Sequence, residues 1–147
     1  MNQLENLYRE VIMEHYKHPR NKGLISNEAY IKIRHKNPSC GDDVTIQTLI
    51  EGQTIRDCRF EGHGCSICCA SASVLTETMI GKNVDEARDL TDRYLRMVSG
   101  APNDMDQDLG EAEVFSGVRQ FPARIKCASI SWQAFLKTLE GGAKNDE

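Results

Sequence analysis

All of the two-residue alternation in this chain is gathered into one block, residues 31 to 60, and the patterning on either side has helical spacing. Ile31 and Ile33 alternate, and so do Val44, Ile46, Thr48 and Ile50; after "EGQT" the run Arg56, Cys58, Phe60 keeps the same period. Three strands are expected, with the turn at Glu51 to Gln53 making the last two a hairpin. Cys58 lies in phase with Phe60 and is expected in the core. Before the block, "LENLYREVIMEHY" puts Leu4, Leu7, Tyr8, Val11, Ile12, His15 and Tyr16 on one helical face, ended by Pro19 and Gly23. After it, Ser66 to Ile80 is small or helix-compatible and Gly81 follows. A second helical face, Val84, Ala87, Leu90, Thr91, Tyr94 and Val98, is capped by Asn83 and stopped by Gly100. The acidic, Gly-bearing stretch 101 to 118 is expected as a loop or short helix laid over the core. "CASISWQAFLKTLEGG" predicts a last helix with Ile130, Ala134, Phe135 and Thr138 on one face, and the final few residues are expected to be disordered.

At 147 residues and 39% hydrophobic content, the chain suits one domain and leaves little room for a second. Its formal charge of -4 carries no basic excess, which argues against sequence-independent binding to nucleic acid. The longest uncharged stretch, Gly64 to Thr76, is shorter than the roughly 20 apolar residues of a membrane helix, and no signal-peptide pattern opens the chain. A cytoplasmic location without membrane attachment is expected.

Six cysteines stand at 40, 58, 65, 68, 69 and 127. In a reducing cytosol they are buried thiols or chemistry rather than disulfides. Cys40, Cys65 and Cys127 share a context, each at a junction between a loop and a regular element. Cys40 precedes a strand, while Cys65 after "EGHG" and Cys127 after "FPARIK" are expected at helix starts. Unpaired N–H groups and a partial positive charge there favour the thiolate. In an extended segment, Cys40 and Asp42 point the same way across Gly41. Three thiolates and a carboxylate make four ligands, a set that suits tetrahedral zinc and also an iron-sulfur cluster. Arg124 and Lys126, beside Cys127, are expected to offset the excess negative charge of such a site.

Three other patterns carry less. "CSIC" is a CxxC without a second CxxC or a thioredoxin-like strand-helix order, and close helix packing is the expected role of Cys68 and Cys69. His63, in a Gly-flanked loop, is expected to be a solvated surface group. Asp104, Asp106 and Asp108 mimic the start of a calcium loop, but Leu109 and Phe115 occupy positions that need Gly and Glu, so calcium binding is rejected.

"LYREVIMEHYKHPRNKG", "NPSCGDD", "FEGHGCSICCASAS" and "GVRQFPARIKCASISW" occur in the order found in the iron-sulfur scaffold superfamily of NifU and IscU proteins. The chain resembles that superfamily over almost its whole length, and most closely its SufU branch. The resemblance implies an α+β fold, a small three-stranded antiparallel sheet packed against several helices. It implies that residues 1 to 147 form a single NifU/IscU-type domain, with an insertion at about 101 to 118. By motif, Cys40, Asp42, Cys65 and Cys127 match the family's metal ligands. Scaffold proteins carry His just before the last cysteine, where this chain has Lys126, and the insertion is also characteristic of SufU proteins. The activity implied by the resemblance is that of a zinc-dependent sulfurtransferase: Cys40 accepts persulfide sulfur from a pyridoxal-phosphate cysteine desulfurase of the SufS type and passes it toward downstream iron-sulfur assembly proteins. A histidine of the partner would take the position that Cys40 leaves. The alternative is a scaffold on which a [2Fe-2S] cluster is assembled with the same ligands, and a third is a purely structural zinc module. Cys68 and Cys69 stand where relatives usually have other small or apolar residues, leaving a second thiol near the site.

Overall fold

The structure, a computed structural model, describes residues 3–38, 41–100 and 109–141. In chain order these form α1 (Gln3–Lys17), β1 (Ile31–Asn37), β2 (Asp42–Glu51), β3 (Thr54–His63), α2 (Ser66–Met79), α3 (Val84–Ser99), a 3-10 helix (Gly110–Gln120) and α4 (Pro122–Leu139). The strands make a three-stranded antiparallel meander in the order β1-β2-β3, as the alternating block predicts. The turn at Gly52 and Gln53 closes the second hairpin, with Gly52 at φ +66°. Ser39, Cys40, the acidic stretch 101–108 with its three aspartates, and the last few residues lie outside the described residues.

One face of the sheet is apolar and buried through Ile33, Val44, Ile46, Thr48, Cys58 and Phe60, and the other carries Lys32, Arg34, Asp43, Thr45, Glu61 and His63. The buried Cys58 bears out its alternation. Arg56 departs from the expected phase: Asp57 opposes Leu49 while Ile55 opposes Ile50, so Arg56 is an extra residue on β3. That bulge buries Ile55 and turns Arg56 outward, 3.1 Å from Glu51.

Helix α4 lies over β1 and β2, and α2 over β3; α3 packs on α4, and α1 on α2. Small residues from Ala70 to Ser73 let neighbours approach α2 closely, and all four are buried. Asn83 caps α3 by accepting the Asp85 N–H at 2.8 Å, and Gly100 ends it at φ +93°, both as the sequence indicates. Of the α1 face, His15 is buried, but Leu7 and Tyr16 are exposed. The 3-10 helix buries Ala112, Val114, Phe115 and Val118 and touches α1, α2, α3 and α4.

One buried polar network fixes how the central helices meet. The Ser71 and Tyr94 hydroxyls both donate to the Ala128 carbonyl at 2.8 Å, and Trp132 Nε1–H donates to Ser71 Oγ at 3.0 Å. The Tyr94 and Trp132 rings stack with centroids 3.7 Å apart. Buried hydrogen-bonding groups are costly to leave unpaired, so α2, α3 and α4 have one satisfactory register at the turn that carries Cys127 and Ala128.

Candidate metal centre

Cys65 is the N-cap of α2, with extended backbone and a half-buried side chain. Asp42 opens β2 and is buried, opposite Asn37 at the end of β1. Cys127 is buried too, but the structure corrects its expected place. Helix α4 begins at Pro122, so Cys127 stands inside the second turn rather than at the helix start. Pro at the first helical position needs no N–H partner, which lets "PARIK" join the helix.

The carboxylate of Asp42 and the Sγ atoms of Cys65 and Cys127 all lie within 4.8 Å of one another. Asp42 Oδ1 accepts the Cys65 N–H at 3.1 Å, tying the start of β2 to the start of α2. Gly64 makes this approach possible: at φ +151° it occupies backbone space that favours glycine, and a Cβ there would sit on the Asp42 carboxylate. Gly62 is required for a different reason, since a Cβ would meet the Asp43 carbonyl at 2.5 Å across the β2-β3 pair.

Burial, then hydrogen bonding to Asp42 and Cys65 and their negative charge, pushes the Cys127 thiol well above the ordinary thiol range. A divalent cation among the three groups would reverse that cost, and two sulfurs with one carboxylate oxygen match the borderline-soft preference of zinc. In a tetrahedral zinc site such donors stand about 3.5–3.8 Å apart, so the trio fits a metal with little movement. Cys40 lies outside the described residues. Pro38 and Gly41 flank the two undescribed positions; the Gly41 N–H donates to the Asn37 carbonyl at 2.9 Å, and Asn37 pairs with Asp42 across β1 and β2.

Arg124 and Lys126 are exposed on the first turns of α4. Lys126 borders a shallow cavity of about 290 Å³ together with His35, Lys36 and Asn37 of β1. His63 is exposed at the end of β3, paired in register with Asp43 and outside the donor trio. Cys68 is buried in the core, whereas Cys69, on the next position, is half-buried. Burial raises the Cys69 thiol, and so do Cys65, Asp42 and Glu61, while Lys22 opposes them.

A second cluster was legible only as a histidine on an apolar helix face. His15 Nδ1 lies 2.8 Å from Ser73 Oγ and Nε2 lies 2.7 Å from Glu111, with Glu77 at 3.9 Å. It joins α1, α2 and the 3-10 helix.

Comparison with known proteins places this geometry. Residues 7–128 match the family model described as the NifU-like N terminal domain. The chain is 43% identical to the zinc-dependent sulfurtransferase SufU of Bacillus subtilis over 142 residues, 95% of each protein. It is 36% identical to the iron-sulfur cluster assembly scaffold protein IscU of Streptococcus pyogenes, covering 97% of this chain and 89% of that one. The crystal structure of a candidate iron-sulfur cluster assembly scaffold protein of the SUF system from Fervidobacterium islandicum superposes with a TM-score of 0.72, at 34% identity, covering 89% of this chain and 92% of that one. With its three-stranded antiparallel sheet, its covering helices and its buried Asp-Cys-Cys trio, the chain belongs to the NifU-like N-terminal domain family.

Proposed function

We propose that this chain is a zinc-dependent sulfurtransferase that accepts persulfide sulfur from a cysteine desulfurase and carries it into iron-sulfur cluster assembly. The observation that carries this reading is the convergence of Asp42, Cys65 and Cys127, with Cys40 in the connection that ends at Asp42. Asp42, Cys65 and Cys127 would hold the metal, and Cys40 would be the fourth ligand. Zinc bound there keeps its thiolates deprotonated without redox chemistry of its own. Released on its Gly-flanked connection, the Cys40 thiolate attacks the outer sulfur of the donor persulfide. A new S–S bond forms on Cys40, the donor's S–S bond breaks, and the donor cysteine leaves as a thiolate. Arg124 and Lys126, exposed on the first turns of α4, the helix that carries Cys127, would supply positive charge toward the incoming anionic persulfide and the partner surface. In this reading residues 1 to 147 act as one domain. No helix among the described residues is long and apolar enough to cross a membrane, in keeping with a cytoplasmic carrier.

The scaffold reading rests on the relatives named as scaffold proteins and uses the same donors for iron. Elemental analysis of protein purified without oxygen separates the two. Stoichiometric zinc is expected; iron with acid-labile sulfide would favour the scaffold. Cys40→Ser is expected to keep zinc but abolish sulfur acceptance from a desulfurase, and undiminished stimulation would reduce the site to a structural zinc module.

A further inference from the structure

Among the described residues, a second group of three ligand-type side chains brings its donor atoms within 4.8 Å of one another: His15, Glu77 and Glu111. They come from three elements, the last turn of α1, the last turn of α2 and the first turn of the 3-10 helix. Glu77 stands 12 positions beyond Cys65 along α2, a rise of about 18 Å, so this group is separate from the Asp42-Cys65-Cys127 trio.

The imidazole is held as a ligand would be. His15 is 1% exposed, and its Nδ1 lies 2.8 Å from Ser73 Oγ, which also accepts the Arg20 N–H at 2.9 Å. Metal-binding histidines are oriented in this way, by a hydrogen bond on the ring nitrogen that does not touch the metal. The other nitrogen, Nε2, faces two exposed carboxylates, Glu111 at 2.7 Å and Glu77 at 3.9 Å. One ring N–H can serve only one of them, so Glu77 is left beyond hydrogen-bond distance with a second carboxylate as its neighbour. Arg20 relieves this only in part, with its guanidinium 3.8 Å from the other oxygen of Glu77 and 3.5 Å from Glu14. The carboxylates of Glu14, Glu77 and Glu111 against one guanidinium leave two negative charges beside a neutral ring, which is the charge of one divalent cation.

We propose that His15, Glu77 and Glu111 form a second metal site, for a divalent first-row transition ion such as zinc. The inference does not rest on the sulfur-transfer reading. One imidazole nitrogen with two carboxylate oxygens suits such an ion better than magnesium or calcium, which take oxygen ligands. Around zinc, nitrogen and oxygen donors at about 2.0–2.2 Å from the ion stand about 3.0–3.5 Å apart, so Glu111 opens slightly and Glu77 closes in. Both are exposed side chains that make such movements by rotation. On binding, Nε2 gives its lone pair to the ion, while the single proton of the neutral ring sits on Nδ1 and is donated to Ser73 Oγ. Water fills the remaining positions. The ion joins α1, α2 and the 3-10 helix, and so braces the segment that leads directly into α4 and Cys127.

Zinc itself is the probe, titrated into the full chain in competition with a chromophoric chelator, for the wild type, Glu77→Gln and Glu77→Gln/Glu111→Gln. Glu77→Gln leaves the His15-Glu111 hydrogen bond in place, and Gln at 111 keeps an acceptor for the ring N–H, so metal-free unfolding midpoints are expected to agree. The wild type is expected to bind one equivalent of zinc that Glu77→Gln binds at least about tenfold more weakly and the double variant does not bind. The difference between the proteins is the readout, so the result does not depend on what the thiolate trio holds. Hydrogen exchange locates the ion: that equivalent is expected to slow exchange at the end of α1 and in the 3-10 helix of the wild type, and not in the double variant. Equal zinc binding by all three proteins, or equal protection with and without the two carboxylates, would overturn the inference and reduce the cluster to a hydrogen-bonded brace.

Discussion

Replacing Gly64 with alanine probes the metal site without touching a ligand. Two costs can be read from the structure. At φ +151° an L-residue occupies strained backbone, which costs about 1–3 kcal/mol. The new Cβ would stand 3.0 Å from Asp42 Cα and closer still to its carboxylate, so the carboxylate must turn away. Its bond from the Cys65 N–H at 3.1 Å is then lost, a charge-assisted hydrogen bond worth about 1.5–3 kcal/mol. The expected loss in the metal-free protein is about 2.5–6 kcal/mol, a large share of the about 5–15 kcal/mol of a typical domain. Urea unfolding followed by circular dichroism measures it, and competition with a chromophoric chelator measures the second consequence. With Asp42 displaced, zinc affinity is expected to fall by about 10- to 100-fold. Asp42→Asn serves as the partner experiment, since it keeps an acceptor for the Cys65 N–H while removing the anionic ligand. It should lower zinc affinity with little loss of metal-free stability. A Gly64→Ala protein with both the wild-type midpoint and the wild-type zinc affinity would refute the close Gly64-Asp42 packing.

Lys126→Ala is expected to retain full zinc content but accept sulfur more slowly, whereas wild-type transfer rates would make Lys126 an ordinary surface residue. His15→Ala removes the hydrogen bonds to Ser73 and Glu111 and should cost about 2 kcal/mol; hydrogen exchange is expected to rise first in the 3-10 helix and α1. Burial pushes the Cys58 thiol up to about 12 from 9.0, against a smaller lowering by Thr48. The folded state therefore holds this proton more tightly than the unfolded one, so stability is full below about pH 9 and falls by about 1.4 kcal/mol per unit as pH rises toward 12. Cys58→Ala should flatten that slope in unfolding curves between pH 9 and 10.5, and an unchanged slope would count against it.

Features controlled by neighbouring residues were legible in the chain alone. The alternating block fixed three strands, Gly52 the second hairpin, Asn83 and Gly100 the ends of α3, and the phase of Phe60 the burial of Cys58. Asp42 and Cys65 stood out in the chain because each stands beside a glycine, whereas Cys127 stood out as a helix start that the structure does not place there. Cys127 lies within a helix rather than at its start, because Pro122 at the first helical position lets the largely exposed turn 122–126 join α4. Long-range packing settled the rest. Arg56 leaves the core phase because β2 and β3 pair with one extra residue on β3. His15 acquires Ser73 and Glu111 as partners, 58 and 96 positions away. Asp42 and Cys127 meet because Ser71, Tyr94 and Trp132 satisfy their buried polar groups in one arrangement of three helices. Local periodicity reports which face a residue presents, but which distant face it meets is set by the burial of polar and apolar groups across the whole core.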